Sequence, residues 1–208
     1  MGKQRVAILL SGRGSNMVAL AEQARDGLLA SCAEVVLVAS NRPDAPGLAK
    51  AAAMGLETAT SSSAGKRRSV FDRELLDMLE PFAPDWIVLA GYMRILTPQV
   101  IRRYPGRIIN IHPADTRLHQ GLHGYEWAWE QRLPATKITV HLVDEGLDTG
   151  PILAQREVDL GDVSSLEEVE QRGLAVEHGF YAQVLRGVFE GELGAPAARS
   201  DTRIRKRE

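Results

Sequence analysis

The sequence predicts an α/β protein in which a mostly parallel sheet is covered by helices on both faces. Apolar, β-branched runs of strand length alternate with segments of helical period over the first half of the chain. Most of these runs are apolar along their whole length, as is typical of strands buried on both faces. Glycine, proline or polar residues end the runs, which places their turns at the edges of the sheet. These observations favour a Rossmann-like first half.

The predicted elements follow in order along the chain. They are strands at 5–11, 34–41, 56–60, 85–92 and 107–113, alternating with helices at 15–29, 45–55, 70–82 and 97–106. The rhythm changes after about residue 135, where strands at 137–144 and 152–160 are joined by a connection too short for a helical crossover. These C-terminal strands are therefore expected to form a β-hairpin-like antiparallel pair or to be joined by an irregular loop. A long helix over 165–192 follows.

Length and charge limit the classes of function. At 208 residues with a formal net charge of -2, the chain fits one domain and carries no overall charge that would attract nucleic acid or a membrane. We predict a single domain over 1–193 and a flexible tail over 194–208. Cys32 cannot pair within the chain and no cleavable signal pattern precedes the first strand, so the expected location is cytoplasmic. Small molecules are the expected partners.

The first predicted strand ends in a glycine-rich turn, SGRGSN (11–16). Gly12 and Gly14 permit tight turns with positive φ. Ser15 or Asn16 can cap the following helix, whose free N–H groups form an anion site. The segment has neither the GK[ST] of a P-loop nor the third glycine of a dinucleotide fingerprint. It indicates either a phosphate site or an ordinary turn.

Two polar residues end the buried strand at 107–113. Alternation places Asn110 and His112 on one side, with Ile111 pointing away. Ligands of open α/β sheets bind at the carboxyl ends of the strands. A histidine there can act as acid or base near neutral pH, and an amide can donate to an oxyanion. The alternative is a structural histidine.

An acidic loop, VDEGLDTGP (143–151), is expected at the same edge of the sheet. It carries Asp144, Glu145 and Asp148. A carboxylate close to His112 would raise the imidazole pKa and hold its orientation. The acids could instead cap turns, as aspartate commonly does.

Five segments together resemble the formyltransferase family. They are SGRGSN (11–16), AGYMRIL (90–96), NIHP (110–113), GLH (121–123) and DEGLDTGPIL (144–153). The resemblance covers nearly the whole chain, and the pairing of NIHP with the LDTGP loop is more specific than either motif alone. It implies a metal-free transfer of a formyl group from 10-formyltetrahydrofolate to a primary amine, with glycinamide ribonucleotide as the favoured acceptor.

The resemblance implies catalytic roles for Asn110, His112 and Asp148. The Asn110 amide and a protonated His112 would stabilise the oxyanion, and Asp148 would favour the imidazolium and help to move the proton. Other roles are implied by motif alone. The substrate-binding positions are Gly14, Ser15, Asn16, Arg68 and Glu177, and the folate-binding positions are Met93, Arg94, Ile95 and Leu96 with the loop that contains Asp144 and Glu145.

One segment departs from the family pattern. Residues 114–120 read ADTRLHQ where the family has a serine, two leucines and a proline, and Leu174 replaces an expected polar contact. The polar side chains of 114–120 would either line a different acceptor pocket or decorate a solvent-facing loop. Both departures concern acceptor identity more than reaction type.

Several alternatives stay open from the sequence. The same trio could hydrolyse formyltetrahydrofolate with water, act on another amine such as an amino sugar nucleotide, or belong to a ligand-binding module that would be expected to lose it. The cluster of His112, Asp115, His119 and His123 matches no standard zinc spacing. His141 is expected to be structural. A homodimer is left open.

Overall fold

Seven strands form one sheet in the computed structural model, which describes residues 2–194. The strands are β1 (Gln4–Leu10), β2 (Ala33–Ser40), β3 (Thr58–Thr60), β4 (Trp86–Leu89), β5 (Ile108–His112), β6 (Ala135–Leu142) and β7 (Ile152–Asp159). The helices are α1 (Ser15–Asp26), α2 (Pro46–Ala53), α3 (Arg68–Leu79), α4 (Pro98–Arg103), α5 (Gly124–Glu130) and α6 (Leu166–Phe189). A 3-10 turn, Glu80–Phe82, extends α3.

The strand order is β3-β2-β1-β4-β5-β6-β7. The five strands from β3 to β5 are parallel, whereas β6 is antiparallel to both of its neighbours. This arrangement confirms the predicted α/β class, including the antiparallel C-terminal pair and the long helix. The chain changes direction across the sheet between β1 and β4, and the loops that follow these strands border the crevice where α/β proteins bind ligands.

The two faces of the sheet have separate cores, which explains the uninterrupted apolar strands. Along β1, Val6, Ile8 and Leu10 face the cluster that includes α6, whereas Ala7 and Leu9 face the cluster beneath α3 and α4. A parallel strand covered on both faces has no solvent side, so its sequence does not alternate in polarity.

Several element ends differ from the sequence prediction. The first helix ends at Asp26 rather than at residue 29, because the chain turns at Gly27. β4 ends at Leu89 rather than at residue 92, and Gly91 follows with φ of 72°. No helix within residues 2–194 has the length and apolar character needed to cross a membrane. Of the predicted tail, 195–208 lie outside the described residues.

Candidate active site

Asn110, His112 and Asp148 meet at the carboxyl end of β5. The Asn110 Nδ2 group donates to Asp148 Oδ1 at 3.4 Å, and His112 Nδ1 lies 3.5 Å from Asp148 Oδ2. Asp148 has a φ of 52°, a left-handed conformation that aspartate tolerates better than most residues. The turn in the LDTG sequence therefore brings its carboxylate back against β5.

His141 is a fourth member of this cluster. Its Nε2 atom lies 3.3 Å from Asn110 Nδ2 and 3.5 Å from Asp148 Oδ1. The antiparallel register pairs His141 directly with Asn110, so the two side chains share one face of the sheet. The sequence interpretation of His141 as purely structural missed this position. A polar residue in a buried strand was the only available signal.

The Asp148 carboxylate is held in its ionised form. Burial alone would raise its pKa, but the hydrogen bonds from His141 and from the Gly121 N–H, the latter at 2.8 Å, outweigh that effect. Nearby His112 and His141 act in the same direction. The pKa of Asp148 therefore lies below its ordinary value, and the group is a carboxylate at neutral pH.

The pKa of His112 lies below its ordinary value. The side chain is buried, with 4% of the residue exposed, and burial lowers its pKa by more than the attraction of Asp148 raises it. A pKa below its ordinary value of 6.5 favours the neutral ring near pH 7. Its Nε2 atom donates to the His119 carbonyl at 3.1 Å, so in the neutral ring Nδ1, which lies 3.5 Å from Asp148 Oδ2, carries no proton.

A cavity of about 400 Å³ adjoins the cluster and is lined by Asn110, His112, His141 and Asp148. Its wall includes the four predicted folate-binding residues Met93, Arg94, Ile95 and Leu96. Leu122 and Leu147 also line it and are exposed, as is Met93, so the opening is apolar. A cavity with apolar walls and a few convergent polar groups is typical of a small-molecule site.

The two acids at the start of the 143–151 loop have separate positions. Asp144 lines the cavity, but its carboxylate caps the turn by accepting from the Gly146 N–H and the Thr149 hydroxyl at 3.0 and 2.7 Å. Glu145 is not among the residues that line the cavity, and its carboxylate pairs with Arg102 at 3.2 Å. Only the Asp144 position therefore lies at the predicted pocket.

The glycine-rich turn leads directly into α1. Gly14 adopts the left-handed conformation, with φ of 73°, and no side chain in the described part of the chain caps the helix. The expectation that Ser15 or Asn16 caps it is therefore wrong, because the Asn16 amide donates to Glu177 instead. The first-turn N–H groups of α1 are thus left for an anion.

Glu177 and Arg68 differ in their surroundings. Glu177 is buried on α6, and its carboxylate accepts hydrogen bonds from Asn16 and from the Tyr125 hydroxyl. Burial raises the Glu177 pKa, although both hydrogen bonds act to lower it. Arg68 is the exposed first residue of α3 and does not line the cavity. The structure brings Glu177, but not Arg68, into contact with another predicted substrate residue.

Comparison with known proteins assigns the family. The family profile described as Formyl transferase matches residues 4–185. The chain belongs to the formyl transferase family. The phosphoribosylglycinamide formyltransferase of Escherichia coli is 35% identical over 189 residues, which cover 90% of this chain and 88% of that protein.

Two further relatives extend this comparison. The trifunctional purine biosynthetic protein adenosine-3 of Drosophila melanogaster is 37% identical over 91% of this chain, which spans 14% of that longer protein. The crystal structure of glycinamide ribonucleotide transformylase 1 from Symbiobacterium toebii superposes with a TM-score of 0.88 at 33% identity, covering 94% of this chain and 92% of that one.

Residues 114–120, which depart from the pattern of other formyl transferases, do not line the cavity. Asp115 is buried and pairs with Arg117 at 2.7 Å, so the segment is not a wholly solvated loop. His123 pairs with Glu126 at 2.8 Å. Within residues 2–194, no group of three or more His, Cys, Asp or Glu side chains is arranged to hold a metal ion.

Proposed function

We propose that this formyl transferase transfers the formyl group of 10-formyltetrahydrofolate to the amine of glycinamide ribonucleotide, a step of de novo purine biosynthesis. The observation that carries the proposal is the convergence of Asn110, His112 and Asp148 on one largely apolar cavity. The relatives from E. coli and S. toebii, named as a phosphoribosylglycinamide formyltransferase and a glycinamide ribonucleotide transformylase, support this acceptor.

The folate co-substrate fits the apolar part of the cavity. Met93, Ile95 and Leu122 present exposed apolar surface there, which suits a flat heteroaromatic ring. The 92–97 loop is held in place because the Met93 N–H donates to the Ser11 hydroxyl at 2.8 Å. Ser11 also belongs to the glycine-rich turn, so the proposed folate and phosphate sites share one anchor.

The polar cluster supplies the chemistry of transfer. Attack of the amine nitrogen on the formyl carbon develops an oxyanion, and the Asn110 amide is the proposed donor to that oxygen. Neutral His112 accepts the amine proton at Nδ1, and Asp148 stabilises the resulting imidazolium. The proton then passes to the departing folate nitrogen as its bond to the formyl carbon breaks. Atoms and charge balance without a redox partner.

The acceptor is proposed to lie between the glycine-rich turn and α6. The N–H groups at Gly14, Ser15 and Asn16 bind its phosphate, as the uncapped start of α1 favours. Glu177 accepts from Asn16 and is the proposed acceptor for a hydroxyl of the sugar. Arg68 is retained as a substrate-side residue on the family resemblance alone.

One assay tests this proposal. Purified protein is incubated with 10-formyltetrahydrofolate, and release of tetrahydrofolate is followed with glycinamide ribonucleotide, with an amino sugar nucleotide and with no acceptor. We expect release only with glycinamide ribonucleotide, together with formylated product. Release without acceptor would indicate a hydrolase, release only with the amino sugar nucleotide would change the acceptor, and no release in any arm would reject the proposal.

Other predictions accompany the activity. A metal-free mechanism predicts that dialysis against a chelator leaves turnover unchanged. The cytoplasmic location and the homodimer also stay predictions, which fractionation of cells and analytical ultracentrifugation would test.

A further inference from the structure

The segment between β5 and α5 contains a buried carboxylate outside the cavity. Asp115 is 6% exposed, and Arg117 donates to it through Nε at 2.8 Å and through Nη2 at 2.7 Å. The Arg117 backbone N–H and Lys137 Nζ also donate to it, at 3.1 and 3.2 Å. Arg117 holds the pKa of Asp115 well below its usual range. A buried charge satisfied by this many donors fixes its surroundings firmly.

The same residue also fixes the backbone that follows it. The Asp115 carbonyl accepts from the N–H groups of Leu118 and His119, at 2.8 and 2.9 Å. We call residues 115–119 the Asp115 turn. Because its side chain and its carbonyl are both engaged, Asp115 determines where the turn places His119.

Two strands anchor the Asp115 turn to the sheet. Arg117 Nη2 donates to Gln155 on β7 at 3.0 Å, and the Gln155 amide donates to the Thr139 hydroxyl on β6 at 2.8 Å. That hydroxyl donates in turn to the Ala114 carbonyl at 2.6 Å. The position of the turn is therefore set by the antiparallel part of the sheet rather than by local chain preferences.

The turn ends against His112. The His119 carbonyl accepts from His112 Nε2 at 3.1 Å. The His119 ring is stacked on Trp127 with centroids 4.9 Å apart, and its Nε2 atom donates to the Leu122 carbonyl at 2.9 Å. His119 is thus held on both sides, and its carbonyl is a fixed acceptor for one nitrogen of the His112 ring.

We propose that Asp115 and Arg117 are positioning residues for His112: their ion-paired turn fixes the His119 carbonyl, which retains a proton on His112 Nε2 and leaves Nδ1 to receive the proton of the attacking amine. This inference rests on the catalytic role proposed above for His112. The titratable groups that act on the imidazole are Asp148, His141 and His119. Of these, Asp148 would attract the ring proton to Nδ1 if the carbonyl moved away.

The tautomer of His112 tests the proposal directly. Nitrogen NMR of the full protein, labelled at histidine and compared with a His112→Gln variant for assignment, reports which ring nitrogen is protonated. We expect the Nε2–H tautomer in the wild type and a substantial Nδ1–H population in Arg117→Ala. Turnover should fall about 10-fold in that variant, because the accepting lone pair is no longer presented in line. The KM values should change less than about 2-fold, because Arg117 does not line the cavity.

Matched variants separate positioning from general stability. Arg172→Ala removes an exposed ion pair with Asp162 elsewhere on the molecule and should change neither the tautomer nor turnover. Arg117→Lys keeps the charge but loses the two-pronged contact, so it should restore only part of the turnover. If Arg117→Ala fails to fold, Gln155→Leu interrupts the same anchor and takes its place in both measurements.

An unchanged His112 tautomer with turnover within about 2-fold of the wild type would overturn the proposal, even if the melting temperature fell. Failure of the proposed function would look different. In that case the wild type itself would release no tetrahydrofolate with glycinamide ribonucleotide, while the NMR measurement would still decide whether the Asp115 turn controls the imidazole.

Discussion

At the residue scale, two neighbouring buried groups, Asp148 and His112, differ in charge. Asp148 remains charged because N–H donors compensate its desolvation, whereas His112 is neutral because one carbonyl and one carboxylate do not compensate for burial of its charged form. Neighbouring groups with pKa values displaced by their surroundings are a frequent feature of acid–base sites. In the proposed mechanism they supply a proton acceptor and a fixed negative charge beside it.

The charge of Asp148 can be removed with little change in shape. Asn also tolerates the left-handed conformation at this position, so Asp148→Asn should fold normally. We expect turnover to fall by about 100-fold or more, because the imidazolium loses its counter-charge. Steady-state kinetics with a thermal melt would check this, and turnover within about 3-fold of the wild type would contradict the assigned role.

At the element scale, Glu177 joins three helices through buried contacts. It lies on α6 and accepts from Asn16 on α1 and from Tyr125 on α5. Within residues 2–194, no group donates to the buried Asn16 Oδ1 atom. The Tyr125 ring reaches Glu177 because Gly173 has no side chain: a Cβ there would lie 2.1 Å from the ring. This cluster closes the proposed acceptor side of the site.

Glu177→Gln should separate stability from binding. The folded-state pKa of Glu177 is raised above its ordinary value of 4.5, so its contribution to stability is present below that pH and is lost as pH rises through the folded-state pKa. Gln does not titrate, and rotation of the Asn16 amide would let the unpaired Oδ1 accept from it. We expect the difference in melting temperature, variant minus wild type, to become larger as the pH rises from 4.5 to 8. A constant difference would contradict the pKa shift.

Binding provides the second readout of the same variant. If Glu177 accepts from a sugar hydroxyl, Glu177→Gln should raise the KM for glycinamide ribonucleotide by about 10-fold and leave that for the folate unchanged. Equal effects on both substrates would point to a general structural change instead.

The turn between β1 and α1 depends on one glycine. Gly14 has a positive φ, and a Cβ there would lie 2.8 Å from the Gly47 Cα atom. Gly14→Ala should therefore lower the free energy of unfolding by at least about 1 kcal/mol and raise the KM for the phosphorylated acceptor. Gly12→Ala is the matched stability control, because a Cβ at Gly12 meets no atom within 4 Å. Denaturant unfolding should show a loss for Gly14→Ala that Gly12→Ala lacks.

The sequence patterns predicted the helices and strands better than they predicted the contacts between them. Alternation along β5 placed Asn110 and His112 together, and the resemblance added Asp148. The part played by His141 depends on the register of β6 against β5, which alternation in a single strand does not define. Likewise, the sequence around Asp115 does not reveal that its carboxylate is buried, because Lys137, which helps to neutralise it, lies on another strand.

At the scale of the whole molecule, α6 contacts the two neighbouring strands, β4 and β5, that border the candidate site. The fully buried Tyr181 hydroxyl lies 3.0 Å from the carbonyl oxygens of both Leu89, the last residue of β4, and Ile109, within β5. Asn110 directly follows Ile109 in the chain. Packing of α6 therefore bears on the geometry of the site as well as on stability.

The end of α6 lies close to the predicted domain boundary at residue 193. The chain reverses at Gly191, and the N–H groups of Glu192 and Leu193 both donate to the Gly187 carbonyl, at 2.8 and 2.9 Å. Leu193 also packs against the core beside Gly187. This reversal completes the helix, so the domain should need the chain as far as Leu193 and no farther.

Two truncations make that expectation measurable. Ending the chain after Gly194 should leave both the melting temperature and turnover at wild-type values, because every contact of Leu193 is retained. Ending it after Phe189 removes Leu193 and the helix-ending turn, and should lower the free energy of unfolding by about 1–2 kcal/mol. Because α6 also contacts β4 and β5 through Tyr181, the shorter chain should lose turnover at temperatures below its melting point. Equal destabilisation by the two truncations would place the boundary beyond residue 194 and assign a structural role to the predicted tail.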